Sequence, residues 1–417
     1  MTKLLIGLIV ESILFMFLSK RFIIDNNDKK NSLIAFVILI FFNFSISLQY
    51  TQEIIGEVNL FYVPSIFVAI MALLLSVMNK NTLQFRKEYI FVIIFIFHYI
   101  YTWMINHKID QASYFYMILL LLSILFIILI YQSLDEINLN SIIYSVNYLA
   151  IANGILAMLQ YLTGKKLVPG SFNQSIIYSE GLVSVKRAVG IAVTNNAAGN
   201  LGALLFAVIL YNVISRKDAI SVVSLIFTSV FSILSLTRIG YLGIVVEILV
   251  YCLILYRNQL IKQLKKIKII IAITAVLLIT LLLLWNKMYY YLFQSRGDTL
   301  TSRFVQYQRI FKEVIMNNLL LGIGEGQYRY YMATKLKILD IDIHSQYLNI
   351  LVEQGLILFA IFIFVNFYMI FYVVRYSQSI QLKALTLALF IGNFICVNFN
   401  PNQYYYINNI VYYFILL

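Results

Sequence analysis

Long runs of apolar residues, separated by short polar stretches, make up most of this chain. A helix needs about 20 apolar residues to cross a bilayer, and the runs here are unbroken and of about that length. Twelve of them lie near residues 2–19, 33–48, 60–78, 89–106, 114–132, 142–162, 189–214, 219–236, 239–256, 268–285, 356–374 and 382–399. A thirteenth run, 404–417, is shorter and rich in Tyr, so it either spans the membrane or lies in its interface. The pattern therefore predicts an all-α integral membrane protein, a bundle of about 12–13 transmembrane helices.

The spacing of these runs divides the chain into four regions. Residues 1–162 are predicted to form N-terminal transmembrane helices, and residues 163–285 form core transmembrane helices preceded by an outer loop, 163–188. Residues 286–355 are the longest stretch without a predicted span, and residues 356–417 form C-terminal transmembrane helices. We expect the long stretch to be one extracytoplasmic loop that contains amphipathic helices.

The distribution of Lys and Arg sets the expected orientation. Basic residues gather in alternate connections, at 20–32, 79–88, 216–217, 257–268 and 375–383, whereas the only charged residues of 49–59 are Glu53 and Glu57. Cytoplasmic loops are enriched in Lys and Arg, so we place the basic set in the cytoplasm and the N-terminus outside. The loop 133–141 departs mildly from this scheme, because its charged residues are Asp135 and Glu136.

Composition narrows the class of protein further. The chain is 62% hydrophobic and only 12% charged, and a soluble fold has too little interior to hide that much apolar surface. This excludes a cytosolic globular protein, a disordered chain and an ordinary nucleic-acid binder. Most of the net charge of +13 then follows from the basic cytoplasmic loops. Cys252 and Cys396 lie inside apolar runs and are typical of small hydrophobic residues.

Two loops that are predicted to lie outside the cytoplasm are nevertheless basic. The loop 163–188 carries Lys165, Lys166, Lys186 and Arg187. The loop 286–355 carries Lys287, Arg296, Arg303, Arg309, Lys312, Arg329, Lys335 and Lys337. Charges on this side do not set the topology, so they indicate an anionic ligand. The alternative is a solvated loop that faces lipid headgroups.

The long loop contains one clear amphipathic segment. Ser302 is a candidate N-cap for a helix that runs to about Asn317, and we expect this helix to lie along the outer membrane surface. Its apolar face is predicted to hold Phe304, Tyr307, Phe311, Val314 and Ile315, and its polar face Arg303, Gln306, Arg309, Lys312 and Glu313. The glycines at 322, 324 and 326 then predict a flexible turn, and a further helix begins at about Ser345.

Three histidines are candidates for chemistry. His98 lies inside a predicted span and His107 just beyond it, which is typical of packing or interfacial residues. His344 differs, because it lies where the long loop enters a membrane helix, close to Asp340 and Asp342. The sequence has no pair of histidines at ligand spacing and no Cys/His cluster, so we predict no metal site.

Two arginines lie at the edges of predicted spans. Arg238 connects two apolar runs so tightly that it must lie at or below the outer interface. A charge at that depth costs about 2.5 kcal/mol or more, so Arg238 is either functional or a snorkelling interface residue. Arg187 precedes Asn195 and Asn196 in an apparent span, where polar groups and glycines indicate a closely packed or locally broken helix.

Four stretches together carry a family resemblance. They are RAVGIAVTNN at 187–196, SLTRIG at 235–240, SRFVQYQRIFKEVIMNNLLLGIGEG at 302–326 and HSQYLNILVEQG at 344–355. In this order they resemble the motifs of the bacterial O-antigen ligase and O-antigen polymerase superfamily of polytopic membrane glycosyltransferases. The resemblance covers about the C-terminal half of the chain, and the last stretch is the most specific.

The resemblance implies an inverting glycosyl transfer on the outer face of the bacterial cytoplasmic (inner) membrane, without metal or cofactor. The donor would be an oligosaccharide on undecaprenyl diphosphate, and the acceptor would be a sugar hydroxyl. The implied partners are this lipid-linked oligosaccharide and membrane lipid, with a flippase and a chain-length regulator as further candidates. No nucleic-acid partner is expected.

The candidate residues suit that chemistry. Departure of the sugar leaves negative charge on the diphosphate, which arginine binds well because it is permanently charged and can donate in pairs. We predict that His344, Arg303 and Arg238 are catalytic, and that Arg187, Arg238, Arg303 and Arg309 bind the diphosphate. Histidine titrates near neutral pH, so His344 is the expected general base. Glu353 would lie about 13 Å along a helix from His344, which favours a packing role.

Three classes of function remain open from the sequence. A glycan polymerase is preferred, with a ligase that transfers the glycan to a terminal acceptor as the alternative. A lipid-linked glycan flippase would be expected to show repeated halves, and no internal repeat is found. A channel or receptor fits poorly with one long loop that carries clustered arginines and a histidine.

Overall fold

A computed structural model describes residues 136–168, 172–180, 183–192, 194–257, 299–324, 327–400, 408–409, 411–412 and 415. The predicted spans before residue 136 and near 268–285, and with them His98 and His107, lie outside these residues. The described helices are α1 Glu136–Thr163, α2 Asn195–Arg216, α3 Ala219–Ser235, α4 Arg238–Leu255, α5 Thr299–Arg309, α6 Tyr328–Lys335, α7 Gln346–Tyr376 and α8 Ile380–Val397. One hairpin pairs the antiparallel strands β1 Ile177–Glu180 and β2 Val183–Lys186.

The prediction of an all-α membrane protein is confirmed. Within the described residues, five helices are long and apolar enough to cross a membrane, namely α1, α2, α4, α7 and α8. The sixth predicted span in this part of the chain is α3, which is apolar but has only 17 residues. The hairpin between α1 and α2 was not predicted, because its two strands are only four residues long each.

Helix α2 is the centre of the bundle. It packs against α1 and α3 on one side and against α4 and α8 on the other. Amide side chains join it to its neighbours, since Asn212 Nδ2 donates to the Ile143 carbonyl at 3.0 Å. Asn147 Oδ1 accepts from Ser224 Oγ at 2.9 Å, which links α1 to α3. Membrane helices gain little from hydrophobic burial against one another, so such bonds and close packing hold them together.

Side-chain caps explain where several helices begin. Asp218 accepts from the Ser221 N–H at 2.9 Å at the start of α3, and Ser345 accepts from the Leu348 N–H at 3.2 Å at the start of α7. The prediction of a helix start at Ser345 is therefore confirmed. The prediction that Ser302 is an N-cap is wrong, because α5 already includes Thr299 and Ser302 lies inside the helix.

Helix α2 begins at Asn195 rather than at residue 189. Before it, Arg187–Val189 are not helical and Gly190–Ala192 form a 3₁₀ turn, and all six of these residues are buried. Side chains of α1 satisfy the backbone of this segment, since Gln160 Oε1 accepts from the Gly190 N–H at 2.7 Å and Asn153 Oδ1 accepts from the Ile191 N–H at 2.9 Å. Irregular backbone at membrane depth is tolerated only with such partners.

The amphipathic helix in the long loop exists, but its faces differ from the predicted ones. After α5 the helix widens into a π-helical stretch, Ile310–Ile315, which changes the register of its faces. Val314 and Ile315 are buried as expected, in a cluster completed by Ile310, Ile323, Tyr328, Met332, Ile343 and Val352. Phe304 and Phe311 are instead exposed, at 67% and 55%. Gln306, which was predicted on the polar face, is instead buried, and its Nε2 donates to the Ile341 carbonyl at 2.9 Å.

The glycine-rich segment after this helix is a turn, but the backbone of Gly322 and Gly324 is firmly held. Helix α7 is interrupted at Gly355, whose φ of 77° lies in the left-handed region. The break exposes backbone groups that pair with the turn, since the Gly324 N–H donates to the Glu353 carbonyl at 2.8 Å and the Leu356 N–H donates to the Leu319 carbonyl at 2.8 Å. A Cβ on Gly322 would lie 2.5 Å from the Glu353 carbonyl oxygen, so only glycine fits.

Candidate active site

Arg187 clamps the turn between α3 and α4. Its side chain is only 4% exposed, its Nε donates to the Ser235 carbonyl at 2.9 Å, and its Nη2 donates to Thr237 Oγ1 at 2.8 Å. The Arg187 N–H donates to the Ile176 carbonyl beside the hairpin, which fixes the backbone of the arginine as well. Two of the four predicted motif stretches, 187–196 and 235–240, are therefore in direct contact.

The clamped turn is strained. Leu236, between Ser235 and Thr237, has a φ of 49° in the left-handed region, which a branched side chain rarely adopts. Such a conformation persists only where surrounding contacts fix it, and the two Arg187 hydrogen bonds to residues on either side do so. Helix α4 begins at Arg238, two residues after this position.

Arg238 lies at the end of the bundle where α2 and α4 begin and α3 and α8 end, which we call the site end. It is the first residue of α4 and is partly exposed, as expected for an arginine at an interface. The close approach of α4 to α2 occurs at Gly240, where a Cβ would lie 2.5 Å from the Gly199 carbonyl oxygen. The carbonyl of Ile239, the residue before Gly240, accepts from Cys396 Sγ of α8 at 3.6 Å.

Amide side chains complete the site end. Asn400, just after α8, donates from Nδ2 to Asn200 Oδ1 of α2 at 3.0 Å. Asn408 donates to the Ala197 carbonyl at 3.0 Å, which brings the C-terminal segment to the same place. Sequence analysis did not assign these asparagines, although their number near span ends was a usable signal.

His344 reaches the site end through its neighbour. Ser345 Oγ donates to Asn398 Oδ1 at 3.2 Å, so the start of α7 is fixed to the end of α8. The His344 Nδ1 atom lies 2.8 Å from the Asp342 carbonyl oxygen. A carbonyl only accepts, so Nδ1 carries the proton and Nε2 of the neutral ring keeps its lone pair.

Arg303 of α5 lies close enough to His344 to act on it electrostatically. Burial and the positive charge of Arg303 lower the pKa of the His344 imidazole, while the Asp342 hydrogen bond and charge oppose this. The ring is therefore neutral at neutral pH. A neutral imidazole with an available Nε2 beside a guanidinium can accept a proton while the guanidinium binds an anion.

Arg309 has a different environment from Arg303. Its Nη1 forms an ion pair with Asp340 Oδ2 at 3.4 Å. The same carboxylate accepts from Tyr328 OH at 2.8 Å and from Gln306 Nε2 at 3.1 Å. Asp340 therefore ties α5 to α6 and to the segment that leads to His344, and Arg309 belongs to this support.

The other basic residues of the loop before Arg187 lie just after α1 and at the end of the hairpin. Lys166 Nζ donates to Gln174 Oε1 at 3.0 Å, and burial lowers the pKa of the Lys166 amine. Lys186 Nζ lies 5.1 Å from the centre of the Tyr161 ring, a cation–π contact.

Glu353 is buried and accepts from Asn349 Nδ2 at 3.2 Å, which agrees with the packing role predicted for it.

Among the residues that the structure describes, no group of three or more His, Cys, Asp or Glu side chains could hold a metal ion. The structure thus brings the predicted residues together in two groups. Arg187 and Arg238 share the α3–α4 turn, and Arg303 and His344 share the loop side, with Asn398 fixing the start of α7 to the bundle. Arg309 joins neither group directly.

These features define a multi-pass membrane protein of all-α fold with a polar, arginine-containing end. A protein-family model described as O-antigen ligase matches residues 222–363, about a third of the chain, which includes Arg238, Arg303 and His344. This segment of the chain is therefore similar to the O-antigen ligase family. A comparison with curated proteins gives no match.

Proposed function

We propose that the protein is a polysaccharide polymerase of the O-antigen or capsule type. It transfers a glycan from undecaprenyl diphosphate to a sugar hydroxyl of another lipid-linked repeat unit, on the outer face of the bacterial cytoplasmic membrane. The observation that carries this proposal is the pairing of His344, neutral and with its Nε2 lone pair available, with the neighbouring Arg303.

In the proposed step, the acceptor hydroxyl attacks the anomeric carbon of the donor sugar. His344 Nε2 takes the hydroxyl proton as the new carbon–oxygen bond forms. The bond between the anomeric carbon and the diphosphate oxygen breaks, and its electron pair stays on the diphosphate. Attack opposite the departing group inverts the anomeric configuration, and the reaction needs neither metal nor nucleotide sugar.

The arginines stabilise the charge that develops on the diphosphate. Preorganised positive charge near a leaving group lowers a barrier by several kcal/mol. We assign Arg238 at the site end and Arg303 beside His344 to direct contact with the diphosphate oxygens, because both are partly exposed. Arg187 contributes its charge from a buried position while it holds the turn that presents Arg238. Arg309 contributes less, because Asp340 neutralises part of its charge.

Purified protein mixed with lipid-linked repeat units tests the proposal. The wild type should lengthen the glycan, and His344→Ala should abolish the product while the protein still inserts and unfolds at the wild-type temperature. Lys337→Ala, an exposed basic residue of the same loop, is the matched control and should keep full activity. Normal glycan chains from His344→Ala would refute the assignment of the base.

A ligase is the second candidate, because the matching family model is described as O-antigen ligase. The glycan of a deletion strain separates the two. Single repeat units on the normal anchor indicate a polymerase, whereas long chains that accumulate on the lipid carrier indicate a ligase. Absence of either change would contradict both proposals and would favour a transporter.

A further inference from the structure

A stripe of large apolar side chains on the long loop is exposed, and none of the described residues covers it. Along the helix formed by α5 and its π-helical continuation, Phe304 is 67% exposed and Phe311 is 55% exposed. Beyond the helix, Leu319 and Leu320 are 41% and 60% exposed. We call these four residues the loop stripe. The opposite side of the same helix packs into the buried cluster around Ile310 and Val314.

The loop stripe continues directly into a transmembrane surface. The Leu319 carbonyl accepts from the Leu356 N–H at 2.8 Å, so the stripe ends where the spanning part of α7 begins. Below that point α7 exposes a row of apolar side chains at helical spacing, namely Ile357, Phe364, Phe367 and Phe371. In a spanning helix such a row faces lipid. Among the described residues, the stripe and this row therefore meet at the Leu319–Leu356 contact.

We propose that the loop stripe inserts into the boundary between headgroups and acyl chains of the leaflet on its own side of the membrane. Phenylalanine and leucine on one face of a helix are typical of such interfacial helices, which enter the boundary by about 5–10 Å. Lys312, exposed and next to Phe311, is placed to reach lipid phosphate groups while its stem lies along apolar surface.

Insertion of the stripe fixes the height of the catalytic groups. Ile343 belongs to the buried cluster on the other side of the helix, and His344 follows it in the chain. The helix is about 10 Å across, so docking its outer face would hold Arg303 and His344 near the headgroup layer. A lipid-linked diphosphate lies at that level, which gives the loop a structural reason to dock.

Spin labels on the complete protein in lipid nanodiscs, without substrate, test the docking. Labels at Phe304→Cys, Phe311→Cys and Leu320→Cys should be several-fold more accessible to oxygen than to a water-soluble nickel chelate. Lys335→Cys and Lys337→Cys, exposed elsewhere on the loop, are the matched controls and should show the reverse order. Wild-type protein taken through the same labelling gives the background from Cys252, which is half-buried, while Cys396 is buried.

Three results would overturn the proposal. The first is nickel accessibility at the stripe equal to that at Lys335→Cys. The second is spin–spin broadening that disappears when labelled protein is diluted with wild type, which would indicate a second copy of the chain. The third is protection that appears only after lipid-linked repeat units are added, which would indicate the substrate's own hydrocarbon chain. None of these readouts needs activity, so the proposed function and the docking can fail separately.

Discussion

Arg187 and Thr237 are 50 residues apart in the chain, yet the guanidinium Nη2 donates to the threonine hydroxyl at 2.8 Å. The same hydroxyl donates to the Asn195 carbonyl at 3.0 Å. One threonine therefore joins the start of α4 to the start of α2 and to the segment that precedes α2. This contact determines how Arg238, the next residue, is presented at the site end.

Removal of the Thr237 hydroxyl should loosen this junction. Thr237→Val leaves a buried guanidinium N–H without its acceptor, which costs about 1–3 kcal/mol. We expect a lower unfolding temperature in detergent and a loss of product per folded molecule. Thr237→Ser keeps the hydroxyl and is the control. Equal unfolding temperatures for the two variants would contradict the structural role of the bond.

The pH dependence of glycan transfer should report the His344–Arg303 pair. A general base acts in its neutral form, and the lowered pKa of His344 keeps it neutral until the pH falls below that value. Activity should therefore be lost on the acid side. Arg303→Gln removes a charge that lowers this pKa, so the acid limb of the kcat/KM profile should move to higher pH.

Arg309→Gln is the matched control for that shift. Arg309 pairs with Asp340, and its charge is not among the causes of the lowered pKa of His344. The acid limb of the Arg309→Gln profile should remain at the wild-type pH, even if the activity of this variant falls. An equal shift of the acid limb in Arg303→Gln and Arg309→Gln would contradict this prediction. It would show that the total charge of the loop, rather than Arg303 in particular, determines the pH of the acid limb.

Asp340→Asn should release the segment that leads to His344. The carboxylate accepts from Tyr328, Gln306 and Arg309, and charge-assisted hydrogen bonds of this kind contribute about 1.5–3 kcal/mol. We expect faster amide hydrogen exchange in α6 and the following segment, with α2 unchanged. Asp342→Asn keeps the backbone carbonyl that contacts His344 and should leave exchange near the wild type.

Gly355→Ala should damage the junction between the long loop and α7. The φ of 77° is unfavourable for alanine, and the new Cβ would lie 2.3 Å from the Leu320 carbonyl oxygen. The atoms that this Cβ would meet belong to the backbone, so they cannot move aside without a change in the path of the chain. We expect poor recovery of folded protein, whereas Leu356→Ala at an exposed neighbour should be recovered normally. Normal unfolding of Gly355→Ala would show that the break in α7 is not required.

The contact between α4 and α8 can be tested with a double-mutant cycle. A Cβ on Gly392 would lie 2.2 Å from Glu247 Oε1 and 2.4 Å from Glu247 Cγ. Gly392→Ala alone should lower the unfolding temperature. Glu247→Ala removes the atoms that clash, and neither Glu247 carboxylate oxygen has a hydrogen-bond partner within the described part of the chain. The double variant should therefore be more stable than Gly392→Ala, and additive losses would contradict this packing.

The sequence predicted the elements of the described region because each span is long enough to be recognised by itself. The runs near 142–162, 219–236, 239–256 and 382–399 all correspond to helices with similar bounds. Errors occurred where the tertiary structure supplies partners from elsewhere. Residues 189–192 are apolar enough to be helical, but Gln160 and Asn153 of α1 stabilise their irregular backbone instead.

The candidate residues were also visible in the sequence, since a histidine and several arginines lie together on a loop that is predicted to be extracytoplasmic. Only the tertiary structure assigned them different positions. It buried Arg187 behind a strained turn, paired Arg309 with Asp340, and placed Arg303 beside His344. The physical reason is that hydrophobic periodicity specifies length and burial, whereas the partner of a charged side chain depends on contacts between residues far apart in the chain.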